Sequence, residues 1–320
     1  MTLTETKGRF KLIGKVVGLD GAEVRTGNNN GKEYRAVKFS VQTSPTNRIF
    51  VELFGQEQEK VYVINNSKKD EKGKKEVRDL PFASRNNAPK GFELFGTGTT
   101  RLGIKDAEGE VIRKSKANYD AVKLIKSNFK DGDSVYVGGE LRFGVYNDKP
   151  IVNYQINSFS QQKDPINFES EKFKETASFE QEFVVTDLLK DDDIGRLVVN
   201  GYTIDYKESF YPAQFTVDTL NMKEFAAKFS KRIKPWDWVK VVGLCRNEAI
   251  TMEAPEVETE DDWGGEDPAG IDGNVVTDYV RELLITNVKD HQKKMYKEED
   301  FVTEEDLVED TSVEDDDLPF

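Results

Sequence analysis

One cysteine, Cys245, and one histidine, His291, occur in 320 residues. A lone thiol excludes an intramolecular disulfide framework and fits a reducing compartment. So few soft ligands also argue against a structural zinc site and a histidine-based catalytic triad. Long apolar runs are missing, and no window suits a bilayer span. The N-terminus, Met1-Thr-Leu-Thr-Glu-Thr, lacks the basic and then apolar pattern of a secretory leader. The expectation is a soluble cytoplasmic protein without membrane contact.

Chemistry-bearing motifs are equally sparse. Gly96-Thr-Gly-Thr-Thr100 has the glycines of a phosphate loop, but no Gly-Lys-Ser/Thr follows and no βαβ unit surrounds it. Asp191-Asp192-Asp193 lies where a solvated turn is expected. Nowhere do a nucleophile, an orienting base and an oxyanion donor come together. The sequence predicts no enzyme, no cofactor and no metal.

What the chain does have is charge, divided unevenly. The formal net charge is −14, with 33% charged residues and 20 phenylalanines. Residues 1–163 carry 29 basic and 20 acidic side chains, whereas residues 164–297 carry 17 and 28. From Glu298 onward there are 12 acids and no base. A basic half can bind phosphate in spite of an acidic total.

Three strands are expected in the first 54 residues: Arg9–Gly18, Lys32–Gln42 and Arg48–Phe54. Gly27-Asn-Asn-Asn-Gly31 is turn chemistry, and Ser44-Pro45-Thr46-Asn47 reads as a hairpin loop. Alternation puts Val37, Phe39, Val41, Ile49, Val51 and Leu53 on one face as core. The other face then presents Tyr34, Lys38, Arg48, Phe50 and Phe54. Cations beside rings suit a single nucleic-acid strand, which needs charge for phosphates and rings for bases. Burial of these rings under another element is the alternative, and residues 55–115 are long enough to supply the cover.

That segment reads as an insertion without the apolar content for its own core. It contains a basic loop, Ser67–Lys75, and a hairpin about Ala107-Glu-Gly109. Lys116–Lys130 follows as a helix, its stripe made by Tyr119, Val122, Ile125 and Phe129. Ser134–Tyr146 and Ile151–Phe159 are two further strands. Three strands, a helix and two strands is the order of an OB-fold, a five-stranded Greek-key barrel that binds oligonucleotides.

The order recurs in residues 164–297. Strands are expected at Phe179–Leu189, Gly195–Tyr206, Tyr211–Asp218, Trp236–Arg246 and Asp278–Val288, with a helix at Asn221–Arg232. The predicted fold is therefore mainly β with a few helices, two OB-folds (1–163 and 164–297) and a disordered acidic tail, 298–320. An acidic loop, 253–272, holds nine acids and no base. It predicts a second domain that binds nucleic acid weakly or contacts proteins. Trp236 and Trp238 read as core or interface.

The tail ends in Asp315-Asp316-Asp317-Leu318-Pro319-Phe320, an apolar hook after a run of acids. This tip resembles that of bacterial single-stranded DNA-binding proteins (the SSB family) and their phage counterparts. Val135-Tyr-Val-Gly-Gly-Glu-Leu-Arg142 is similar to that family's fourth strand. The resemblance implies sequence-independent binding of single-stranded DNA in replication, recombination or repair, in a bacterial host cytosol if phage-encoded. It also implies recruitment of partner proteins through Asp315, Asp316, Asp317, Leu318, Pro319 and Phe320. Lys38, Arg48, Arg142 and Lys149 are the expected phosphate ligands, assisted by Lys32, Arg35 and loop lysines. Tyr34, Phe50, Phe54 and Tyr146 are the expected base platforms. The family has one OB-fold per chain; two here suit a monomer or homodimer. An acidic replication or recombination adaptor, or a DNA mimic, stays open as the alternative, as does RNA binding.

Overall fold

The computed structural model describes residues 2–69, 73–147, 149–252 and 276–302. The acidic loop 253–272 lies outside the described residues, and so does the tail beyond Val302.

The N-terminal strands are β1 (Gly8–Val17), β2 (Arg25–Asn29), β3 (Lys32–Gln42) and β4 (Arg48–Gln56). The Gly27–Gly31 turn is tighter than the sequence suggests. Residues 25–29 enter the sheet as β2, and only Asn30 and Gly31 reverse the chain, at φ 52° and 77°. Asn and Gly tolerate this left-handed backbone, which suits a two-residue hairpin turn.

The inserted segment holds β5 (Lys60–Lys69), β6 (Lys75–Pro81), β7 (Phe92–Phe95), β8 (Thr99–Lys105) and β9 (Val111–Ala117). Strands β5, β6 and β7 form a separate small sheet. Its cluster of Val61, Val63, Phe82 and Leu94 is completed by Ala117 and by Tyr119 of α1 (Asn118–Asn128). The segment thus has a small core, contrary to the expectation from its composition, and it depends on the barrel's helix for one member, Tyr119. Hairpin β8–β9 joins the barrel directly, since β8 runs parallel to β11 (Lys149–Gln161).

With β10 (Ser134–Tyr146), the first barrel closes. Strand β1 pairs with β3 and β10, β3 with β4, β4 in parallel with β11, and β11 with β10. The second barrel uses β12 (Thr176–Asp191), β13 (Arg196–Ile204), β14 (Phe210–Asp218), α2 (Lys223–Arg232), β15 (Trp238–Met252) and β16 (Val276–Gln292). Its closure repeats the first: β12 with β13 and β15, β13 with β14, β14 in parallel with β16, and β16 with β15. Both are OB-folds, each with a helix between its third and fourth barrel strands.

The two barrels bend their sheets with the same device. Register shifts fall at Gly138/Gly139 in β10 and at Val242/Gly243 in β15. A Cβ on Gly139 would lie 1.9 Å from the Gln155 carbonyl oxygen and 2.7 Å from the Phe10 ring. On Gly243 it would lie 2.0 Å from the Leu284 carbonyl oxygen and 2.6 Å from the Phe179 ring. Only glycine lets backbone and ring approach this closely at a bulge.

Phe10 and Phe179 also pair across the seam, where β1 and β12 run antiparallel and fuse the barrels into one sheet. Each barrel's last hairpin reaches across to the other. Phe143, on the β10–β11 arm, contacts Phe215 of the second core at 5.8 Å. From the β15–β16 arm, Asn247 bonds to the first barrel's β3–β4 hairpin. The apolar core is accordingly continuous through both barrels.

Candidate nucleic-acid interface

Val37, Phe39, Val41, Ile49, Val51 and Leu53 all point into the first barrel and are buried. Their alternation forces the intervening side chains outward. The β3–β4 register sets Phe50 opposite Ser40, Phe54 opposite Ala36, Lys38 opposite Glu52 and Gln42 opposite Arg48. The two phenylalanines therefore face small neighbours that cannot cover them. Phe50 stays 47% exposed and Phe54 37% exposed, so the inserted segment does not bury this face. Tyr34 is half-buried and stacks on Phe54 with centroids 5.5 Å apart. The Lys38 ammonium lies 5.8 Å from the Phe50 centroid.

Beside this face, a groove of about 440 Å³ runs between the two barrels. Lys38 and Phe50 line it from the β3–β4 sheet, Tyr146 and Ile151 from the β10–β11 arm, and Arg246 and Arg281 from the second barrel. Tyr146 is 67% exposed, its ring presented to solvent. The fold thus brings Lys38, Phe50 and Tyr146 to one groove. Tyr34 and Phe54 continue the sheet face beyond it, while Arg48, Arg142 and Lys149 are exposed on flanking strands.

Arg35 is elsewhere. Its guanidinium lies 3.6 Å from the Tyr119 centroid, donates to the Tyr119 carbonyl at 3.3 Å and sits 3.9 Å from Asp120. It is a packing residue between sheet and helix, because odd-numbered Arg35 falls on the opposite side of β3 from Tyr34 and Lys38. Lys32 is partly engaged, 3.7 Å from Glu59.

Arg246 and Arg281 were missed by sequence reasoning. Both lie in the acidic half, and only the crossing of the arms places them against Phe50. Arg281 Nε donates to Asn247 Oδ1 at 3.0 Å. Arg246 lies 3.3 Å from Glu282, which also binds Arg196 at 3.0 Å and accepts from Thr216 at 2.7 Å. Burial alone would raise the Glu282 pKa, but Arg196, Thr216 and the charge of Arg246 outweigh it and hold the carboxyl below the usual glutamate range. The groove wall consequently keeps an ionised carboxylate beside two arginines.

The corresponding face of the second barrel differs. Gln214 donates to Asn200 at 3.1 Å, and Tyr202 is stacked on Phe301 at 5.1 Å. Trp236 and Trp238 pack into the same aromatic cluster. Its rings are committed to packing, and Arg196 is held by Glu282 and Asp218.

No cluster of three or more metal-ligating side chains occurs among the described residues. No helix among them is long and apolar enough to cross a membrane. Cys245 is fully buried, which pushes its thiol up to about 12 and leaves it a packing group. The partner residues expected in the tail, Asp315 through Phe320, lie outside the described residues.

A family model described as YorF matches residues 103–315. No curated protein matches the chain. Among solved structures, the chain is similar to the wild-type single-stranded DNA binding protein from Thermus aquaticus, at 12% identity and TM-score 0.38, covering 77% of this chain and 87% of that one. A deletion mutant of that Thermus aquaticus protein is similar at 12% identity and TM-score 0.36, covering 77% of this chain and 89% of that one.

Proposed function

This chain belongs to the YorF family, and we propose that it binds single-stranded DNA without sequence preference. The observation that carries this reading is the uncovered Phe50 ring beside Lys38, opening into a groove that Tyr146, Arg246 and Arg281 complete. Rings of this kind accept any base, because every base has a π-face, while the cations follow the phosphates. A groove lined without a reading helix suits a flexible strand rather than the edges of duplex base pairs.

In this mechanism Lys38, Arg48, Arg142 and Lys149 neutralise phosphates, and Tyr34, Phe50, Phe54 and Tyr146 stack bases. Exposure of Phe50 and Phe54 favours direct binding over the protein-only adaptor, which burial of that face would have favoured. Partner recruitment in replication, recombination or repair is assigned to the tip Asp315–Phe320, on the basis of its acidic and then apolar sequence.

The decisive experiment is fluorescence anisotropy of labelled dT oligomers at several salt concentrations, with duplex DNA as competitor. Tight single-strand binding, weak duplex competition and a log–log salt slope of about −0.7 per phosphate contact are expected. Absence of binding at low salt, with the acidic tail removed, would overturn the reading in favour of the adaptor.

A further inference from the structure

A second groove, of about 540 Å³, opens on another part of the first barrel's outer surface. Strand register builds it. In one row, Tyr136 pairs with Ser160, Ser160 with Gly103, and Gly103 with Arg113. In the next, Lys11 pairs with Gly138, Gly138 with Ser158, and Ser158 with Arg101. Paired residues share a sheet face, so three cations and one ring stand over a floor of glycine and serine. The floor is low by necessity at Gly103, where a Cβ would come within 2.1 Å of Ser160 Oγ.

Lys11, Arg101 and Arg113 are all exposed, and none forms an ion pair among the described residues. No carboxylate lines the groove. Like charges gathered without counterions raise the local potential and draw in an anion. Two of the three cations come from the β8–β9 hairpin, which otherwise only lengthens the barrel sheet.

We propose that this groove is a second track for the same single DNA strand, with Lys11, Arg101 and Arg113 on phosphates and Tyr136 under a base. The inference rests on the single-strand reading above. Strands β10 and β11 run from one groove to the other, with Tyr146 at one end of β10 and Tyr136 at the other. Arg142 lies on the outer face between them. The separation along β10 is roughly 34 Å, which about ten stacked nucleotides span. A Tyr ring in the trough favours a strand with bases over an acidic peptide, which needs charge alone.

The test compares the full chain with the triple variant Lys11→Ala, Arg101→Ala, Arg113→Ala, using dT oligomers of about 4 and about 30 nucleotides. Only the longer oligomer can occupy both grooves. The triple variant is expected to bind it about tenfold more weakly, with a salt slope flatter by about 2, and to bind the shorter one as the wild type does. The charge-conserving variant Lys11→Arg, Arg101→Lys, Arg113→Lys is expected to restore the longer oligomer. Wild-type affinity of the triple variant for the longer oligomer overturns the second track. So does an equal loss for both lengths, since the cations then act through the first groove or the fold. Failure of the wild type to bind either length removes the single-strand reading itself, and is visible before any variant is made.

Discussion

Asn47 and Asn247 join the two barrels by hydrogen bonds that run in both directions. The Asn247 backbone N–H donates to Asn47 Oδ1 at 2.8 Å, and its side chain donates to the Arg48 carbonyl at 2.5 Å. Asn47 Nδ2 donates to the Cys245 carbonyl at 3.0 Å and to Glu175 at 2.8 Å. Asn47 is 1% exposed, so nothing in solvent can replace these partners. The arm that carries Arg246 and Arg281 is held against Phe50 through this node.

Replacing Asn47 by Ala takes a partner from the Asn247 N–H and from the Cys245 carbonyl, both in the buried seam. A loss of about 2–3 kcal/mol in urea unfolding is expected. Affinity for dT falls as well, although Asn47 itself touches no strand. An unchanged urea midpoint would show that the seam does not depend on this pair.

The aromatic face separates by position. Phe50→Ala, at the groove, is expected to cost about 1–3 kcal/mol of dT affinity, and Tyr34→Ala with Phe50→Ala at least about tenfold. Both variants keep their unfolding transition, since these rings lie outside the core. Unaltered affinity in the double variant would remove the stacking platform.

Arginines on opposite sides of β3–β4 are expected to behave differently. Arg48→Ala flattens the salt slope by about 0.7 with little change in stability. Arg35→Ala lowers the melting temperature and leaves the slope alone, because its guanidinium is packed on Tyr119. A slope change in Arg35→Ala would return that residue to the DNA surface.

Glu282 sets a pH dependence. Its folded pKa is held below the glutamate range against the pull of burial, so its stabilisation is fully present above the unfolded value of about 4.3 and lost as pH falls through the lower folded value. Urea midpoints are expected to decline below about pH 5. Glu282→Gln is less stable at neutral pH and has a flatter acid limb; a parallel acid limb would assign the decline to other carboxylates.

Deleting residues 315–320 is expected to leave dT affinity intact or raised, and to abolish capture of replication and recombination proteins on the DNA-bound chain. Equal capture by the truncated chain would take recruitment away from the tip.

The sequence alone determined the barrels' contents. Period-two alternation in Lys32–Gln42 and Arg48–Phe54 separates core from outer face, because successive side chains on a strand point oppositely. The repeated order of strands and helix identified both OB-folds, since each barrel needs the same elements to close. Alternation also put Phe50 on the outer face, but whether residues 55–115 cover it was left to the tertiary structure. Tertiary structure decided the rest. No local pattern says that β1 pairs with β12, that the arms cross, or that Arg246 and Arg281 from the acidic half come to face Lys38. Nor could composition tell that Arg101 and Arg113 in the inserted hairpin would stand beside Lys11, about ninety residues earlier in the chain. Burial and chain propensity act residue by residue, and sequence displays them. Strand pairing between distant segments is settled by the closure of the whole sheet, and the grooves exist only where that closure leaves them.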